Sequence, residues 1–380
     1  MERDIPNISA TQVILLTTGC ALMLPYTFMP ILKMPNINQD VWIVLSLSLV
    51  YSIIIDAPII ILIKIFKCKD INDIINAVTN PLIGRVIASL YIILFVLNFI
   101  TYASIIMQFI LTSIIPNTPY FVVLLITLAP SAYATIKGGG VLARISVFFM
   151  PCLFLTIITF ALFGISDMDI SKLLPAFGDS TLAEINKNAF ISASRSLDVV
   201  ILFVFNAQLK KKVNLTRVYF SSIILYIIFM LLILLPIIMV LGHKYAGMAL
   251  NPYYTYARQV KFYDSLERLQ ALSVLVSFPG MILRLGTYGY LACNMLYKMV
   301  NKKFNKNGIV GVFYVFTFAI LVVPNWRSVA IILLTQDMWV YSYIVFLIKT
   351  LIPLLLLLTY LIRNSLKKNR KDHSCSKLKF

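Results

Sequence analysis

From Val218 to Gly242 the chain runs without one charged side chain, through SSIILYIIFMLLILLPIIMVL. About 20 apolar residues in a helix cross the hydrocarbon core of a bilayer, and there every backbone polar group must be satisfied within the segment or by its neighbours. Comparable runs, bounded by charged residues or Pro/Gly clusters, recur at 11–32, 41–65, 86–115, 119–137, 144–165, 188–209, 217–242, 266–298, 308–324 and 340–362. They predict an all-α integral membrane protein of ten transmembrane helices; a transmembrane barrel would instead show short alternating segments. The composition agrees, with 60% hydrophobic and 13% charged residues, where a soluble domain carries about 25% charged. The opening MERDIPNISATQ is polar, holds two acids and meets the first apolar run with no small-residue cleavage site, so that run reads as a span rather than a signal peptide. The expected organisation is a cytoplasmic N-terminus at 1–10, one membrane domain at 11–362 and a basic cytoplasmic tail at 363–380.

The net charge of +18 could point to nucleic acid, but its distribution does not. The cations sit in short loops and in the tail. Alternate sides of the ten spans carry twenty-two and seven Lys or Arg, with Arg195, Arg268, Arg284 and Lys349 inside spans. That asymmetry places both termini in the cytoplasm. The five cysteines, Cys20, Cys68, Cys152, Cys293 and Cys375, show no paired spacing, and there are two histidines, so neither a disulfide framework nor a metal site is expected. No cofactor motif is present, and no nucleophile–base pair, paired catalytic acids or HExxH-like signature falls within a span, which argues against an intramembrane enzyme.

Ten spans divide into halves of five, 11–165 and 188–362. An odd number per half makes the second enter the membrane from the opposite side, the condition for a 5+5 inverted repeat. The first span of each half is irregular. Span 1 carries Thr17, Thr18, Gly19 and Cys20 at its middle, with Pro25 and Pro30 beyond; Gly and Thr are poor helix formers. Span 6 opens with ISASRSLDVV, in which Ser192, Ser194, Ser196 and Asp198 all favour helix caps. Both spans are therefore expected to be broken, their half-helix N-termini offering N–H groups and a positive dipole end to an anion. The plainer alternatives are close helix packing at the small residues of span 1, and a structural Arg195–Asp198 ion pair in span 6.

Charges inside spans are costly and face the interior or water. Arg284, beside Pro279-Gly280 in the middle of span 8, is the strongest functional candidate. Asp56 has the alternative of pairing with a neighbouring cation, and Lys349 that of snorkelling. Asn98 and Tyr102, at i and i+4 on span 3, form one polar face that serves either binding or packing.

Several stretches together resemble one family. ISATQ, GCALMLP, KGGGVLAR, LLPAFGDS and NPYYTYARQVKFYDSLERLQALSVLVSF, spread over nearly the whole chain, are similar to those of the B subunits of bacterial spore germinant receptors, within the amino acid–polyamine–organocation transporter superfamily. The resemblance implies a ten-span, amino-acid-transporter-like fold in the spore inner membrane, partnered by a receptor A subunit and a lipoprotein C subunit. It implies sensing of a nutrient, such as an amino acid, rather than its accumulation. This chain departs from the pattern in span 6, where SRSLDVV has Asp198 in place of the usual acid and no glycine, and at Arg284, where an apolar or hydroxyl residue is usual; ligand preference therefore does not carry over.

A zwitterion would meet span 1 amides near Gly19 and Cys20, with Arg284 or Arg195, at its carboxylate. It would meet Asp198 and freed carbonyls of span 6 at its ammonium. The candidate ligand-binding residues are Thr17, Thr18, Gly19, Cys20, Asn98, Tyr102, Ser194, Arg195, Ser196, Asp198, Gly280 and Arg284. The rival within the same fold is an amino-acid/proton symporter.

Overall fold

A computed structural model describes residues 8–34, 36–67, 69–178, 180–195, 198–210, 213–260, 270–300, 304–323 and 338–376, excluding the side chains of 38, 198, 338–339 and 366–376. Among the described residues, nine helices are long and apolar enough to cross a membrane, and a shorter apolar helix, Lys306–Val322, accompanies them. In chain order these are α1 (Ala10–Thr27), α2 (Val41–Ile65), α4 (Pro81–Ser113), α5 (Tyr120–Lys137) and α6 (Gly139–Phe163). Then come the pair α7 (Leu182–Arg195) and α8 (Asp198–Phe205), α9 (Leu215–Leu241), α12 (Gln270–Met299) and α13 (Lys306–Val322). The last span joins α14 (Met338–Phe346), a π turn at Leu347–Leu351 and α15 (Ile352–Ser376). Three short helices outside the spans were not foreseen: α3 (Ile71–Val78), α10 (His243–Met248) and α11 (Pro252–Gln259).

Helix α1 is central: it packs against α6, α9 and α12, while α2 packs on α7 and α9, and α12 on α4, α5 and α6. Outward faces are apolar. Phe148, Leu155 and Leu162, seven residues apart on α6, are exposed, as are Val312, Val315 and Phe316 on α13, the arrangement expected of helices that face lipid.

The sequence motifs turn out to be fastenings. ISATQ is a capping box: Ser9 Oγ accepts from the Gln12 N–H at 3.3 Å, and Gln12 Oε1 accepts from the Ser9 N–H at 2.8 Å. Ile8, the first residue of the motif, pairs with Leu209 in a parallel bridge, tying the start of α1 to the segment after α8. In KGGG, Gly138 ends α5 at φ +89°, and a Cβ on Gly139 would lie 2.7 Å from Phe205 Cε1 and 2.9 Å from Gln208 Oε1. The LLPAFGDS loop docks on the segment before α2, where the Phe177 N–H donates to Asp40 Oδ1 (3.0 Å) and Ser180 Oγ to the Ile37 carbonyl (3.0 Å).

One expectation is corrected here. Helix α1 runs without interruption through Thr17–Cys20 and past Pro25 to Thr27; the chain turns only at Met29, in the left-handed region at φ 50°. The small residues serve packing instead. A Cβ on Gly19 would lie 2.4 Å from Met150 Sδ on α6, so glycine lets the two helices approach closely. At the second expected break, α7 ends at Arg195 and α8 begins at Asp198, and residues 196–197 lie outside the described residues.

Candidate ligand-binding site

Two small cavities lie in series among α1, α2, α7, α8 and α9, and they share Ala21, Ser192 and Tyr226 as a common wall. Their volumes are about 50 and 70 Å³; since one water occupies roughly 10–15 Å³ of such space, each has room for a few.

The cavity nearer the C-terminal end of α1 is lined by Leu24, Pro25 and Pro30 and by two arginines, Arg195 of α7 and Arg284 of α12. Arg284 is 5% exposed, and its guanidinium lies over the rings of Tyr102 (4.9 Å) and Tyr288 (5.2 Å). The Arg195 guanidinium stands 5.9 Å from the centre of the Tyr341 ring. Tyr341 OH in turn donates to Asn98 Oδ1 at 2.7 Å. Asn98 and Tyr102, one turn apart on α4, therefore reach both arginines, the first through Tyr341 and the second through its own ring. Aromatic faces hold a cation while leaving the planar edge of its guanidinium to hydrogen-bond acceptors. This end of the tract is rich in donors.

The other cavity has the opposite character. Ser48, Ser52 and Asp56 form an i, i+4, i+8 stripe down α2, facing Thr17 and Thr18 of α1 and Tyr219 and Ser222 of α9. Most of the hydroxyl protons are already committed. Ser48 Oγ donates to the Leu45 carbonyl (2.7 Å), Ser52 Oγ to Ser48 (2.8 Å), Ser222 Oγ to Val218 (2.9 Å), and Thr18 Oγ1 to Ser222 (3.3 Å). A hydroxyl that donates to its own helix keeps lone pairs to present elsewhere, so the wall is a surface of acceptors. Thr17 Oγ1 is buried here with no hydrogen-bond partner among the described residues. Tyr219 OH donates to Asp56 Oδ2 at 3.1 Å, and Asp56 Oδ1 is 2.8 Å from Lys349 Nζ.

Of the residues expected to bind, Thr17, Thr18, Arg195 and Arg284 line this tract, with Tyr102 and Asn98 behind the arginines. Others are placed elsewhere. Cys20 and Ser194 are buried but line neither cavity, and Ser194 Oγ donates to the Phe190 carbonyl at 2.7 Å. A Cβ on Gly280 would meet Phe149 Cζ at 2.2 Å and Met23 Sδ at 2.5 Å, which makes it a packing position. Ser196 and the side chain of Asp198 lie outside the described residues. Sequence reasoning missed Ser48, Ser52, Tyr219, Ser222 and Tyr226. Their signal was polar residues at helical spacing, on α2 in line with Asp56 and on α9.

A family whose description is "spore germination protein" matches residues 7–328 of the chain. No curated protein matches it.

Proposed function

The chain belongs to the spore germination protein family, and on that premise we propose that it is the nutrient-sensing subunit of a spore germinant receptor. It binds a small germinant, an amino acid, within the membrane and signals to receptor A and C subunits. In this reading the protein lies in the spore inner membrane as ten spans in a 5+5 inverted repeat, with both termini cytoplasmic, a placement supported by the twenty-two to seven distribution of Lys and Arg.

The observation that carries the reading is the polarity of the tract. Two arginines stand at one end and an acceptor-lined cavity at the other, a pattern of charge that matches a zwitterion bound carboxylate-first to Arg195 and Arg284. A guanidinium can take a carboxylate in two parallel hydrogen bonds. A ligand that binds one arrangement of these helices better than another shifts the population toward it, and a sensor passes that shift to its partners.

The alternative is an amino-acid/proton symporter, favoured by the serial placement of the two cavities along α1. Two measurements decide. Spores carrying Arg284→Met should lose their response to amino acids at normal protein abundance, whereas an unchanged response would remove the arginines from the site. Sealed vesicles holding this chain alone should show no sustained uptake of labelled amino acids; sustained uptake would make it the symporter.

A further inference from the structure

Asp56 lies midway along α2 in the wall of the acceptor-lined cavity, 2% exposed. Its Oδ1 is held by Lys349, whose side chain is fully buried and which is not part of that wall. Lys349 also donates to the Ala193 carbonyl at 3.4 Å, two residues before Arg195 on α7. The lysine sits in the π turn Leu347–Leu351, between α14 and α15.

Replacing a buried ion pair by apolar residues is often neutral or stabilising, and single π turns occur frequently at functional sites. A lysine carried on such a turn, with its ammonium on a carboxylate that fronts a cavity of hydroxyl acceptors, therefore has a role to find. Those acceptors suit a second ammonium, and unpartnered Thr17 Oγ1 is one of them.

We propose that Asp56 is the ammonium-binding carboxylate of the ligand site and that Lys349 is its resident counter-ion, displaced when the primary ammonium of a ligand enters the cavity. The proposal deepens the amino-acid reading above and names the second pole of the zwitterion. The Asp56 carboxylate is never left alone, because one ammonium replaces another. The zwitterion brings its own carboxylate to the arginines and so adds no net charge, and the released Lys349 ammonium keeps the Ala193 carbonyl, 3.4 Å away, as its acceptor. What changes is the position of Lys349, whose release lets the π turn of the last span rearrange and so carries the binding event away from the cavity. A tethered lysine competes at high effective concentration; without it, a free ammonium should bind at least about tenfold more tightly.

The test uses methylammonium, which needs no knowledge of the germinant. The full chain in lipid nanodiscs is melted in methylammonium chloride and in potassium chloride at equal ionic strength, as wild type, Lys349→Met and Asp56→Asn/Lys349→Met. Methylammonium should raise the melting temperature of Lys349→Met above that in potassium, with half-effect at a concentration at least about tenfold below that for wild type. It should do nothing specific to the double variant, which has lost both charges. Equal effects of the two salts on Lys349→Met, or an equal methylammonium effect on the double variant, would overturn the proposal. Should Lys349→Met aggregate on extraction, recovery with methylammonium and not with potassium supports it. Aggregation in both salts beside an intact double variant overturns it. Failure here with loss of response in Arg284→Met would leave the nutrient reading standing; success here with a normal response in Arg284→Met would leave a cation site without it.

Discussion

At the scale of single residues, the same sequence signal has two origins that only packing separates. Gly19 and Arg195 both break the apolar pattern of a span. Gly19 does so because a side chain there would have to displace that of Met150, and Arg195 because it lines a cavity with Arg284. Gly19→Leu is accordingly expected to act on stability: overpacking of this kind costs about 1–3 kcal/mol, so its melting temperature in nanodiscs should fall, and an unchanged melting temperature would contradict the packing role. The charges themselves were legible, since an ionisable residue in an apolar run stands out wherever it falls. The pairing of Asp56 with Lys349 was not, because the two are far apart in the sequence and nothing local to either specifies which helix will face it.

At the scale of elements, helices were read well where one physical cause acts alone. Residues 41–65 bound both the expected second span and α2, because hydrophobicity and flanking charge agree there. The uninterrupted α1 was not legible because intrinsic propensity is low at Thr17–Gly19 and the contacts that override it come from distant parts of the chain: Thr18 Oγ1 reaches the Ser222 carbonyl at 3.3 Å, and Gly19 seats against Met150. The amphipathic helix α3 lies between spans, and its eight residues are too few to stand out as an apolar run. It is fastened by Lys298 to Asp70 at its N-cap and by Arg363 Nη1, which donates to the Val78 carbonyl at 2.7 Å. The motif ISATQ has its own consequence. Loss of the cap in Ser9→Ala should cost about 1 kcal/mol, measurable as a lower melting temperature with ligand response intact. A lost response at unchanged stability would mean that the motif does more than fasten α1 to the segment after α8.

At the scale of the whole molecule, the chain is an integral membrane protein of the spore germination family, with an apolar exterior and a polar tract at its centre. The tract is asymmetric from end to end, donors beside Pro25 and Pro30 and acceptors around Asp56, and the proposal of a zwitterionic ligand rests on this asymmetry. The claim is tested most directly by masking one pole of the ligand at a time. The purified chain in nanodiscs is melted with each of the standard amino acids, and any that stabilises it is compared with its N-acetyl form, which lacks the ammonium, and its amide, which lacks the carboxylate. At least one amino acid should raise the melting temperature, and both masked forms should fail to do so. Equal stabilisation by a masked form, or none by any amino acid, would contradict the account.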